Sequence, residues 1–311
     1  MTTSSALDGA APLPHWGLIR AQGDDAASFL HSQLTNDFSL LGTGEARLAG
    51  YCSAKGRLLA SFIGWKRSGD DDILLACSAD LLAATQKRLS MFVLRAKCKL
   101  SDASAQWRLL GLAGPSAQVF LGASAPSQPW GKTTHEGADV VRLPDVDGHA
   151  RYLWAAPLDV PAPALPALSE AAWRRAEVQS GVARIEAATV DQFVPQMLNF
   201  EVLGGVDFKK GCYPGQEVVA RSQYRGTIKR RSFLFSSASA LAAGQEVFHD
   251  ADPSQPAGLV ANAAAAEEGR HLALIELKLA ALEGGDLHAG AAGGPLLVRE
   301  ELPYRLPADA A

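Results

Sequence analysis

Lys209-Lys210-Gly211-Cys212-Tyr213-Pro214-Gly215-Gln216-Glu217 places one cysteine between two lysines and a Pro-Gly pair, with an amide and a carboxylate behind it. Proline followed by glycine suits the two central positions of a type II turn, because the second of these needs a positive φ. Cys212 is therefore expected at the lip of a loop rather than inside a strand. Downstream lie Arg221, Arg225, Lys229, Arg230 and Arg231. Cations favour a thiolate over a thiol, so this setting predicts an activated cysteine with a depressed pKa. The competing reading is a small, inert cysteine buried in a turn.

Beyond this loop the chain is ordinary in bulk. It has 311 residues, 48% of them hydrophobic, enough for a sizeable core and two or more domains. The net charge of −4 argues against nucleic acid as a bulk electrostatic partner, although the basic run at 221–231 is a local candidate for RNA. The four cysteines, Cys52, Cys77, Cys98 and Cys212, form no C-x-x-C pair, so no self-contained metal site is expected. The seven histidines are scattered, and phosphate-loop and nucleophile-elbow motifs are absent. Without a secretory leader or a long apolar run, the expected setting is a reducing cytoplasm, away from membranes.

Periodicity gives the architecture. Residues 1–12 read as a disordered tail. Strands are predicted at 16–21, 46–52, 58–65, 72–77, 97–100, 107–112, 140–143 and 151–155. Helices are predicted after Asp24, with Phe29, Leu30 and Leu34 on the core face, and after Ser78. Ser169 caps a further helix that stops at Gly181. Strands and helices without a regular parallel repeat predict an α+β layer fold. After Arg231 short strands at 233–235, 246–248, 257–261, 271–276 and 296–298 predict a small β-barrel. The expected domains are 1–230, with two interleaved subdomains as an option, and 231–311.

The run KGCYPGQEVVARSQYRG at 210–226 closely resembles the signature K-G-C-Y-x-G-Q-E of the YgfZ family, folate-binding proteins related to the glycine-cleavage T-protein. Trp16 in W-G-L-x-x-x-x-G-D-D, Trp173 in W-x-x-x-x-x-Q-S-G, and the segment Gln192–Phe200 resemble further family motifs. The resemblance implies a T-protein-like fold and tetrahydrofolate as cofactor. It implies Trp16 and Trp173 as aromatic walls for the folate, with Gln179, Gln196, Asn199, Gln216, Glu217 and Arg221 completing the binding set. Gln196 and Asn199 are equally readable as residues that tie down their own loop. Asp207 replaces the family's usual serine, and Gln179 stands where the T-protein pattern carries a glutamate. Cys212, assisted by Lys210, would be the working group beside the folate. T-proteins carry a catalytic aspartate after the turn matching Lys55-Gly56, and counting from that turn gives Leu59-Ala60, which argues against aminomethyl transfer. The implied role is an accessory protein in iron–sulfur cluster assembly or repair, with iron–sulfur proteins as clients. The alternative is a folate-dependent one-carbon transferase or a tRNA-modification enzyme.

Overall fold

The computed structural model describes residues 7–67, 72–225 and 228–307. The chain opens with β1 (Gly9–Pro12) and β2 (Trp16–Gln22), then α1 (Ala26–Gln33), β3 (Ala46–Cys52), β4 (Leu58–Lys66), β5 (Ile73–Ser78), α2 (Leu82–Ser90) and β6 (Lys99–Asp102). Five of these strands form an antiparallel sheet in the order β3-β4-β5-β2-β6. β4 is buried along almost its whole length. Its sequence reads as one apolar run because both faces are covered. Phe62 packs under α1 with Phe29, Leu30 and Leu34, whereas Ile63 and Trp65 face the second sheet. The expected caps at the first two helices do not form. Asp24 pairs with the Lys97 ammonium at 3.3 Å, and the Ser78 hydroxyl accepts from Arg184 at 2.8 Å.

The second half of the layer pair contains β7 (Trp107–Ala113), α3 (Gly114–Leu121), β8 (Lys132–His135), β9 (Ala138–Val146), β10 (His149–Pro157) and α4 (Glu170–Gln179). Its antiparallel sheet runs β1-β7-β10-β9-β8. The predicted disordered tail is thus corrected from Gly9 onward. Gly-Ala-Ala-Pro has little strand propensity of its own, but pairing with β7 satisfies its backbone at a sheet edge. α4 starts and stops where the sequence says. The Ser169 hydroxyl accepts from the Ala172 N–H at 3.1 Å, and Gly181 has φ 70°.

The cysteine loop leads into α5 (Gln216–Tyr224), a helix not anticipated, and then into the barrel. β11 (Arg230–Ser237), β12 (Glu246–His249), β13 (Asp252–Ala265), β14 (His271–Lys278), β15 (Leu287–Ala289) and β16 (Leu296–Glu300) close in the order β11-β14-β13-β12-β15-β16. Phe233 and Phe235 fill the interior, while Leu234 between them points out, as the period of two demands. Leu234, Ala261, Leu272 and Leu274 form one core with Leu48, Leu58, Val178, Phe193, Phe200 and Val219. The barrel is therefore welded to the two-sheet region and to the irregular segment before the cysteine loop.

Candidate functional site

Where α4 meets both sheets and the barrel, a groove opens. It is lined by Trp16, Trp130, Arg151, Glu177, Arg184 and Asn262, among others. The cavity between its walls is small, about 60 Å³, so the groove is a narrow slot rather than a chamber.

Glu177 is the focus of that slot. His15 Nε2 donates to its Oε2 at 2.8 Å, and Trp16 Nε1 and Trp173 Nε1 donate to its Oε1 at 2.6 and 2.9 Å. Trp173 and Glu177 are one helical turn apart on α4, which brings them onto one face. Burial by itself raises the pKa of Glu177. The hydrogen bond and charge of His15, the Arg184 guanidinium and the Trp16 N–H more than offset this and hold it at about 2. Oε1 is filled by two donors, so Oε2 keeps capacity for one more.

Two arginines frame this carboxylate. Arg184 donates to the His15 carbonyl and the Ser78 hydroxyl at 3.0 and 2.8 Å, and to Glu186 Oε1 at 2.8 Å. Its guanidinium carbon lies 5.1 Å from the Trp16 ring centre. Asn262 of the barrel clasps the Arg184 backbone through both N–H and C=O, each at 2.9 Å. Arg151 is buried, donates through Nε to the Pro144 carbonyl at 3.1 Å, and stands 5.3 Å from the Trp173 ring centre. Burial pulls its pKa down to about 10, against the Glu177 and Asp145 charges. Its Nη1 is buried without a hydrogen-bond partner. The slot thus offers one carboxylate acceptor and one unspent guanidinium donor, a pair matching a ring that presents an N–H next to an acceptor.

Of the predicted cofactor residues, only Trp16 lines this groove. Trp173 is fully buried behind it, pressed on Gly111 of β7, and acts on the site through its bond to Glu177. Gln179 donates to Asp147 at 3.3 Å, outside the groove. Two residues along a helix turn by about 200°, so Gln179 and Glu177 face opposite ways, and of the two only Glu177 lines the groove. Gln196 and Asn199, both buried, are loop ties. Gln196 Nε2 donates to the Val219 carbonyl at 2.8 Å. Asn199 Nδ2 donates to the Ser232 carbonyl at 2.8 Å, and its Oδ1 accepts from Arg231 at 3.1 Å. From β4, the groove takes Ser61, Phe62 and Ile63 rather than Leu59. The Ser61 hydroxyl is occupied by the Ile185 N–H at 2.9 Å. Glu177 was legible as the i+4 partner of Trp173. Trp130, Arg151 and Arg184 carried no local signal.

The cysteine loop is built as expected but stands elsewhere. Gly215 has φ 79° and ψ 1°, and the Gln216 N–H donates to the Tyr213 carbonyl at 3.2 Å, a type II turn around Pro214-Gly215. Gly215 sits against Gly56, so the loop docks on the Ser53–Gly56 turn. Cys212 is exposed, and neither it nor Gln216, Glu217 or Arg221 lines the groove. Four of the cations expected around the thiol are committed to other partners. Lys210 is buried, and its ammonium donates to the His31 carbonyl and, at 2.8 Å, to the Leu34 carbonyl, where it caps α1. Burial pushes the pKa of Lys210 down to about 8. Arg221 pairs with Glu217, Arg230 with Glu276, and buried Arg231 with Glu201 at 2.7 Å. Burial raises the thiols of Cys52 and Cys77 to about 12 and that of Cys98 to about 11. Among the described residues no cluster of three His, Cys, Asp or Glu side chains could hold a metal, and no helix is long and apolar enough to cross a membrane.

Comparison with known proteins bears on the family and the fold. Residues 10–139 match the GCVT N-terminal domain. The chain is 34% identical to the tRNA-modifying protein YgfZ of Edwardsiella ictaluri, over 71% of this chain and 69% of that protein. It is 28% identical to the YgfZ of Cronobacter sakazakii, over 94% and 92%. The glycine cleavage system aminomethyltransferase T of Bartonella henselae superposes with a TM-score of 0.73 at 18% identity, covering 95% of this chain and 86% of the other. The fold is therefore the T-protein-like α+β fold with a six-strand antiparallel C-terminal barrel.

Proposed function

This chain belongs to the YgfZ family, and on that premise we propose that it binds a tetrahydrofolate and acts in the modification of tRNA. The GCVT N-terminal domain match and the tRNA-modifying relatives support the two halves of the reading. The observation that carries the folate half is Glu177, ionised and aimed by three donors in a narrow slot. A pteridine edge presents N–H donors beside a ring carbonyl. Glu177 would accept from the donors, and Arg151 Nη1 would donate to the carbonyl. Trp16 and Trp130 would close on the ring faces, worth about 0.5–1.5 kcal/mol beyond area burial. Tetrahydrofolate, when bound, carries a one-carbon unit. Around it, Trp173 and His15 fix the carboxylate, and Arg184 holds the Trp16 face.

A second reading, an accessory role toward iron–sulfur clients, rests on one observation: Cys212 is exposed and free. An exposed thiol could donate one ligand to a cluster held by another protein.

The test has two arms. Tetrahydrofolate titrated into the protein should quench tryptophan fluorescence saturably, and Glu177→Gln should weaken binding at least about tenfold, the worth of one charged hydrogen bond. In cells lacking the gene, nucleoside mass spectrometry of tRNA should show a modification lost, restored by the wild type and not by Glu177→Gln. No quench in the wild type would overturn the folate half. Unchanged tRNA would overturn the tRNA half. Loss restored by Cys212→Ser as fully as by the wild type would remove the cluster-ligand reading.

A further inference from the structure

Far from the groove residues, α5 and the strand that follows it build a second concavity. It is lined by Gln196 and Met197, by Arg221 and Ser222 of α5, by Arg225 just past its C-terminal end, and by Lys229. Its volume of about 350 Å³ lies in the range of ligand pockets, roughly 300–1,000 Å³. Arg221 and Arg225 are one helical turn apart, so they lie on one side of the C-terminal end of α5. Arg221 is bridged to exposed Glu217, and Arg230 at the rim is bridged to Glu276. Arg225 and Lys229 are exposed, and among the described residues no carboxylate pairs with either. They are therefore an uncompensated pair of cations at one mouth, in a chain whose net charge is −4.

The floor adds a different chemistry. Gln196 is 1% exposed, and its Nε2 is fixed on the Val219 carbonyl. That bond orients the amide and leaves Oε1 buried with no donor. A buried acceptor without a partner has lost its water and gained nothing in exchange. An occupant bearing an O–H or N–H as well as a negative charge would answer both the rim and the floor. A ribonucleotide has that combination, with a phosphodiester and a 2′-hydroxyl or base N–H. A simple anion answers only the rim.

We propose that this pocket between α5 and the 194–197 segment is an RNA-docking site. It would seat one nucleotide of a bound strand with its phosphate on Arg225 and Lys229 and a sugar or base donor toward Gln196. The proposal rests on the tRNA reading above and gives it a surface. Within the basic run at 221–231 it leaves out Arg230 and Arg231, since those two are spent on Glu276 and Glu201.

The test is salt-dependent binding of an unmodified tRNA transcript to the full chain. Arg225→Gln/Lys229→Gln should weaken binding about tenfold at low salt. It should flatten the slope of log K against log salt by about 0.7–0.9, the value for one phosphate contact. Lys87→Gln/Arg95→Gln removes the same charge from the exposed side of α2 and its following turn, and should change neither. Equal losses in both variants would mean diffuse attraction and overturn the site, as would no loss in the pocket variant or no binding by the wild type. Displacement of RNA by oligoglutamate or inorganic phosphate at matched charge would reassign the pocket to a plain anion. A DNA strand of the same sequence binding as tightly as RNA would remove the ribose contact. Folate quenching, read on the same samples, is expected to persist in both variants, so a failure here leaves the groove reading separately judged.

Discussion

The groove and the cysteine loop are both focused on one side chain, yet they are built in opposite ways. Glu177 is held by His15 and Trp16, more than 160 residues away in sequence, and by Trp173, one turn away on its own helix. Cys212 stands on a turn whose shape is written in the adjacent Pro214 and Gly215. The groove is assembled by tertiary contact and is expensive to perturb. The loop is local, its thiol is exposed, and its neighbouring lysine serves the scaffold by capping α1.

The sharpest way to break the contrast is Glu177→Ala. It strands three donors in the joint between α4 and β2, and should cost about 3 kcal/mol of unfolding free energy at pH 7. The effect should depend on pH. The carboxyl lies at about 2 in the folded protein and near 4.3 unfolded, so its folded pKa is depressed. The stability it contributes is present above about pH 4.5 and lost as pH falls toward 2. Chemical denaturation of wild type and Glu177→Gln across pH 2–7 should show the gap closing in that window. A constant gap would mean that the carboxylate charge contributes nothing to the fold.

A smaller effect is expected from Gly215→Ala. Its φ of 79° is left-handed, and a Cβ there would stand 2.7 Å from Gly56 Cα and closer still to the Ser53 carbonyl. Strain plus displacement should cost about 2 kcal/mol by equilibrium denaturation. Folate quenching should survive, because the loop lines no part of the groove. Loss of quenching in a folded Gly215→Ala protein would show that the two regions communicate.

The smallest effect belongs to the thiol. Cys212→Ser should change stability by less than about 0.5 kcal/mol, as for other exposed positions. Alkylation of the native protein followed by mass spectrometry should label Cys212 first and half-buried Cys98 slowly. Cys52 and Cys77 should react only after unfolding, since both are buried and their thiols are raised to about 12. Rapid labelling of Cys52 would show that the loop opens.

Much of the scaffold was legible. Phe29, Leu30 and Leu34 sit in the core as their helical spacing requires, and Ser169 and Gly181 bound α4. Phe233 and Phe235 share the barrel interior as alternation requires. Elements stabilised by partners rather than by their own residues were not legible: β1, the short β8 and β15, and α5 beginning inside the cysteine loop. The site was less legible than the fold. Gln196 and Asn199 look like folate-binding polar residues in a motif, but their amide N–H groups are spent on the carbonyls of Val219 and Ser232, and neither residue lines the groove.

By itself the sequence determined the family signature, the type II turn at the cysteine, the bounds of α4 and the alternation of the barrel strands. All of these depend on residues a few positions apart. Only the tertiary structure decided that Glu177 rather than Gln179 faces the slot, that Arg151 keeps an unspent donor there, that Lys210 caps α1 and that Arg231 pairs with Glu201. The reason is physical: a backbone turn is fixed by its own few dihedrals. Whether a charge is free for chemistry depends on every group that folding brings within hydrogen-bonding reach.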